Sequence, residues 1–207
     1  EQVSDLRGKG CSSNPHLAES LDRGSLRTEV ECIVISEGNG EGRRVTLINE
    51  GDTDRHIEVT SFAELVLSHP DNDNAHPAFS KMFVETEITP DNSAIFAHRR
   101  KRTEGEPDIC LAHFITDPAG PTRDREAETD RRAFIGRGRT LVNAAAFDPG
   151  ARLSASQGFV LDPIMSLRRR VRVPANKKVA LTFWTVVAKQ RSELEAAIAH
   201  LDHPESF

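Results

Sequence analysis

The run Arg43-Arg44-Val45-Thr46-Leu47-Ile48-Asn49-Glu50-Gly51-Asp52-Thr53-Asp54-Arg55-His56-Ile57-Glu58-Val59-Thr60, continuing through Ser61-Phe62-Ala63-Glu64-Leu65-Val66-Leu67, decides the fold. Segments rich in Val, Ile and Thr flank Glu50-Gly51-Asp52, a cluster suited to a turn, and that pattern reads as a β-hairpin. Downstream, His76-Pro77-Ala78-Phe79-Ser80-Lys81-Met82-Phe83-Val84-Glu85-Thr86-Glu87 leads into a third strand. From Leu26 onward the same rhythm continues, with turn clusters at Glu37-Gly38-Asn39-Gly40, Pro90-Asp91-Asn92 and Pro118-Ala119-Gly120. Short strands separated by such clusters predict an all-β domain.

Two further segments sharpen this reading. Along Arg168 to Val173, residues 168, 170 and 172 share one face of a strand while 169, 171 and 173 share the other. One face should be packed and one wet, and Arg169, on the packed side, must then find an acid. In Leu181 to Ala188 both faces are mostly apolar, which predicts a central strand covered on both sides with Phe183 in the core. Beyond it, Ser192-Glu193-Leu194-Glu195 fits a capping box, and Leu194, Ala197, Ile198 and Leu201 fall at helical spacing. The chain is therefore expected to be a large antiparallel β-sandwich with a C-terminal α-helix. Residues 1–21 read as a leader, 22–190 as the sandwich, and 191–207 as the helix and the start of a linker.

Bulk properties exclude several classes. With 207 residues, the chain can bury a core without disulfides or a structural metal. Its formal charge of −5 argues against nucleic acid as a partner. No apolar run approaches the ~20 residues of a spanning helix, so no direct membrane span is expected. Three scattered cysteines, Cys11, Cys32 and Cys110, read as free thiols of a cytoplasmic protein.

Four features could carry chemistry. Glu85 and Glu87 share a strand face, yet catalytic carboxyl pairs normally oppose each other across a cleft, so a solvated face or a salt bridge to an arginine of a neighbouring strand is the favoured reading. Asp71-Asn72-Asp73-Asn74 lacks the Gly and distal Glu of a calcium loop and reads as a polar loop; no histidines pair at ligand spacing, so no metal or cofactor is expected. His98-Arg99-Arg100-Lys101-Arg102, the densest basic run, could bind nucleic acid or an anionic surface, but a charged strand end running into a loop is the favoured reading. Gly136-Arg137-Gly138-Arg139 would let backbone and guanidinium groups approach an anion or a polar ligand, or would form a turn whose arginines pair with Glu126, Glu128 or Asp130. With one Trp and no Tyr, an aromatic sugar-binding platform is disfavoured. Candidate carbohydrate contacts are the polar loop residues Asp73, His76, Arg137 and Arg139, with no catalytic residues.

The blocks 43–67, 75–87, 98–102 and 128–139, with Val160-Leu161-Asp162-Pro163-Ile164-Met165-Ser166-Leu167-Arg168-Arg169 through Phe183-Trp184-Thr185, resemble in the same order the sandwich domain of bacterial cyclic β-1,2-glucan synthases. More distantly the chain is similar to the N-terminal domains of cellobiose and chitobiose phosphorylases. The resemblance implies a supersandwich of the galactose-mutarotase-like kind that supports an (α/α)₆ catalytic barrel, contributes loops near a β-1,2-glucan or related oligosaccharide, and helps form a homodimer. It implies a parent enzyme of the glycosyltransferase and glycoside phosphorylase type attached to the bacterial inner membrane. The family's Trp- and Arg-rich early segment has no counterpart in residues 1–21, and its barrel residues have no positions in this chain. An independent carbohydrate-binding module recognising a β-glucan is the competing class.

Overall fold

A computed structural model describes residues 16–35, 39–117 and 125–201, with side chains from residue 24 onward. Eleven strands run in chain order: β1 (His16–Arg23), β2 (Leu26–Val34), β3 (Asn39–Asn49), β4 (Arg55–Thr60), β5 (Ala63–Glu64), β6 (Val84–Ile88), β7 (Ala94–Arg99), β8 (Cys110–Thr116), β9 (Arg125–Asp130), β10 (Pro163–Val173) and β11 (Lys177–Ala188). Four helices join them: α1 (Pro70–Ala75), α2 (Pro77–Lys81), α3 (Arg131–Ile135) and α4 (Arg191–Leu201). The strands form an antiparallel seven-stranded sheet, β1-β2-β3-β11-β8-β7-β6, and a four-stranded sheet in which β10 pairs with β4 and β5 on one side and β9 on the other.

The expected hairpin at residues 43–60 is not formed. Its two strands belong to different sheets, β3 pairing with β2 and β11 while β4 pairs with β10. The turn therefore carries the chain across the sandwich. Asn49 holds that corner: its buried amide donates to the carbonyls of Thr53 and Val173, and its Oδ1 accepts from the Gly51 amide. A Gly-containing turn reads alike in sequence whether it reverses a strand within a sheet or steps between sheets.

The core between the sheets joins Leu47, Val84, Ile95, Leu111, Ile115, Leu181 and Phe183 to Ala127, Met165, Leu167, Val171 and Val173. Phe183 is 5% exposed, as the alternation in β11 predicts. The other face of that strand carries Trp184 and Val186 into a second cluster with Phe96, Phe114, Leu194 and Leu201, so α4 covers the larger sheet from outside. That apolar stripe is as predicted, but the capping box is not formed. The helix begins at Arg191, placing Ser192 inside its first turn, and Glu195 accepts from the Arg191 guanidinium. β1 begins at His16, inside the segment expected to be leader; residues 1–15 lie outside the described residues, as do the turn at Pro118-Ala119-Gly120 and the segment after Leu201.

Charge is buried between the layers with its partners. Arg169 donates to Asp117 at 2.8 Å, the acid its strand phase demanded. Arg168 departs from expectation, being 1% exposed on the face predicted to be wet. Residues 141–153 fold over the end of β10, and the Arg168 guanidinium donates to the carbonyls of Ala146 and Ala151 while its Nε donates to Thr60. Burial pulls this guanidinium down from its ordinary value, against the opposing pull of Glu58 and Glu126. Arg170 and Arg172, farther along, pair with Glu58 and Asp54 near the surface.

Candidate functional site

The segment between β5 and β6 folds as an elbow of two short helices. Pro70 and Pro77 each stand in the first turn of their helix, where a missing amide is harmless, so the sequence sets both starts. The expected polar loop Asp71–Asn74 is therefore helical, as α1. His76 is the joint, ending α1 and preceding α2, and it is exposed. Asp73 lies one turn earlier on α1, so the structure brings two of the four predicted contacts into one elbow.

Beside the elbow is a cleft of about 140 Å³, lined by Asn72, Ala75, His76, Phe79, Ser80, Arg99 and Arg102. Phe79 and Phe83 meet edge to face with ring centroids 5.2 Å apart. The Arg102 guanidinium lies 5.0 Å from the Phe79 centroid and 5.4 Å from that of Phe83, and the Arg99 guanidinium lies 5.3 Å from Phe83. All three distances lie within cation–π range. Arg99 also donates to the Ser80 carbonyl, tying β7 to α2. The basic run is the predicted strand end entering a loop, with Lys101 on Asp108 and Arg100 over the exposed ring of Phe159.

Arg137 and Arg139 sit elsewhere, on the turn after α3, and neither lines this cleft. Asp130 caps α3 by accepting from the Arg132 amide, and Gly136 and Gly138 take the positive φ values of 85° and 71° that the turn requires. Both Arg137 and Arg139 are exposed. Arg139 donates to both oxygens of Asp148, rather than to Glu126, Glu128 or Asp130.

Glu126 and Glu128 serve the segment 151–158 instead. Glu126 accepts from the Leu153 amide, and Glu128 from the amide and hydroxyl of Ser154. Thr129 donates to the Ser156 carbonyl, and Gly158 bridges to Thr86 on β6. The paired glutamates of β6 are also committed: Glu87 takes a bidentate interaction from Arg191, and Glu85 lies 3.4 Å from His98. Hydrogen bonding from Arg191 holds Glu87 below the usual carboxylate range. Among the described residues no group of three or more His, Cys, Asp or Glu could hold a metal ion.

The family described as glycosyl hydrolase 94, supersandwich domain, matches residues 20–204. The chain belongs to this family. It is 58% identical over 184 residues to the cyclic beta-(1,2)-glucan synthase NdvB of Rhizobium meliloti (strain 1021). That match covers 89% of this chain and 6% of that protein. Among solved structures, a polysaccharide lyase superposes with a TM-score of 0.51 at 14% identity, covering 88% of this chain and 23% of that one; this likeness concerns the fold alone. The chain therefore corresponds to a small part of a far longer relative. The sequence singled out His76 and the arginine run but passed over Phe79 and Ser80. The signal available was the i, i+4 spacing of Phe79 and Phe83 across a short helical stretch with basic residues downstream.

Proposed function

We propose that this chain is the non-catalytic sandwich domain of a cyclic β-1,2-glucan synthase, supporting an (α/α)₆ barrel and touching the glucan through polar residues. The observation that carries the reading is how the acids are used. The carboxylates best placed to serve as an acid/base pair, Glu85 with Glu87 and Glu126 with Glu128, are held by His98, Arg191 and backbone amides, while the cleft beside His76 is open. A general acid must instead be within hydrogen-bond reach of a substrate group. The family membership and the identity to NdvB support a domain of that enzyme type. Asp73 and His76 form one proposed glucan contact, and Arg137 with Arg139 a second. Among the described residues no helix is long and apolar enough to cross a membrane, and we place the domain on the cytoplasmic side of a parent enzyme held at the inner membrane.

The test is a titration of the isotope-labelled chain with linear β-1,2-glucooligosaccharides, followed by NMR, with a β-1,4-linked series as control. Saturable shifts around His76 or Arg137 with the first series only, lost in His76→Ala or Arg137→Ala, are expected. A folded spectrum unmoved by either series would remove glucan contact and leave support of the barrel alone.

A further inference from the structure

We infer that the cleft between α2 and the end of β7 is an oxyanion site, taking a carboxylate or phosphoryl group; it shares His76 with the proposed glucan contact. Three observations converge there. First, Arg99 and Arg102 line the cleft, and among the described residues neither guanidinium has a carboxylate partner; Glu106 accepts from the Arg102 backbone amide instead. Several arginines elsewhere in this acidic chain are paired with acids: Arg169 with Asp117, Arg131 with Glu64, Arg139 with Asp148, Arg172 with Asp54 and Arg191 with Glu87. Two arginines left over in one concavity create a field that an anion would satisfy.

Second, Ser80 lines the same cleft, is 3% exposed, and its Oγ is buried with no hydrogen-bond partner. Buried hydroxyls are ordinarily bonded, so an unpaired one on a residue of the cleft wall calls for a partner. Its O–H can donate to an oxyanion, as can the amide of Asn72 and the imidazole of His76. Third, the geometry is fixed in advance. Phe79 and Phe83 both lie within cation–π reach of the Arg102 guanidinium, and the Ser80 carbonyl anchors Arg99. Preset donors of this kind favour planar, bidentate recognition of a carboxylate or phosphate. Arg100 and Lys101 belong to the same basic run but are absent from the cleft wall, Arg100 lying over Phe159 and Lys101 on Asp108. The site is therefore narrower than the charge run that contains it.

The experiment titrates the labelled chain with inorganic phosphate and, separately, with acetate at constant ionic strength, following Ser80, Arg99 and Arg102 by NMR. Saturable shifts at these residues are expected. Arg102→Gln should weaken binding about tenfold or more, and Ser80→Ala by several-fold, since hydrogen bonds to charged groups carry effects of that size. Arg100→Gln should leave the affinity within about twofold, because a purely electrostatic run would feel every charge alike. Preference for phosphate would identify the natural group as phosphoryl, and preference for acetate would identify an acidic side chain; both outcomes support the site. No saturable shift with either ion, or equal losses for Arg100→Gln and Arg102→Gln, would overturn it. Glucooligosaccharides are neutral, so their result is read separately from this one.

Discussion

His113 makes stability depend on mild acid in a way that can be calculated. It lies on β8 and is buried, with Nε2 2.8 Å from Ser61 Oγ and Nδ1 3.0 Å from Thr185 Oγ1, its ring stacked on Phe183. Burial, with a smaller contribution from Arg43, lowers its pKa from 6.5 to about 4. Because the folded value lies below the unfolded one, the unfolded chain binds the extra proton between these two values, and stability falls as pH drops through that window. At about 1.36 kcal/mol per unit, the loss is about 3 kcal/mol, complete below about pH 4 and absent above about 6.5. Carboxylates titrate in the lower part of the same window, so the comparison requires a variant. His113→Gln keeps polar atoms near Ser61 and Thr185 but does not titrate. Urea unfolding followed by the fluorescence of the single, buried Trp184 should show wild type losing about 3 kcal/mol more than His113→Gln between neutral pH and about pH 4. Equal losses in the two proteins would refute the reasoning, because they would place the pH dependence entirely on other groups.

Two further outcomes follow from the packing. Asp117→Asn should destabilise by about 3–5 kcal/mol at neutral pH, since it leaves the buried Arg169 without its charge partner and removes the acid 3.7 Å from buried Arg125; chemical denaturation measures this. Gly42→Ala would put a methyl group 2.5 Å from the Trp184 ring across the β3–β11 pair, an overpacking expected to cost about 1–3 kcal/mol and to shift Trp184 emission; an unchanged midpoint and spectrum would refute the close approach.

The alternation of apolar residues in β11 was enough to define a central strand with Phe183 on one core face and Trp184 on the other, because side chains on a strand must alternate. The same rule required an acid for Arg169, though it could not name Asp117, some fifty positions away. Strand and turn rhythm fixed the class, and the stripe on α4 fixed its need for a docking face. Periodicity is blind to which strands pair. The turn at Glu50-Gly51-Asp52 looks like a hairpin but crosses between sheets, since that choice rests on contacts of β3 with β11 and of β4 with β10. Burial of Arg168 likewise depends on residues 141–153 folding over β10, a non-local event with no trace in the strand's own pattern. The cleft was half visible. His76 and the basic run stand out by type, whereas Ser80 is an ordinary residue until α2 and β7 are packed together and its hydroxyl is left in the wall of a cationic cavity. Local chemistry is written in neighbouring residues; partnership across the sandwich is decided by burial, which only the assembled chain determines.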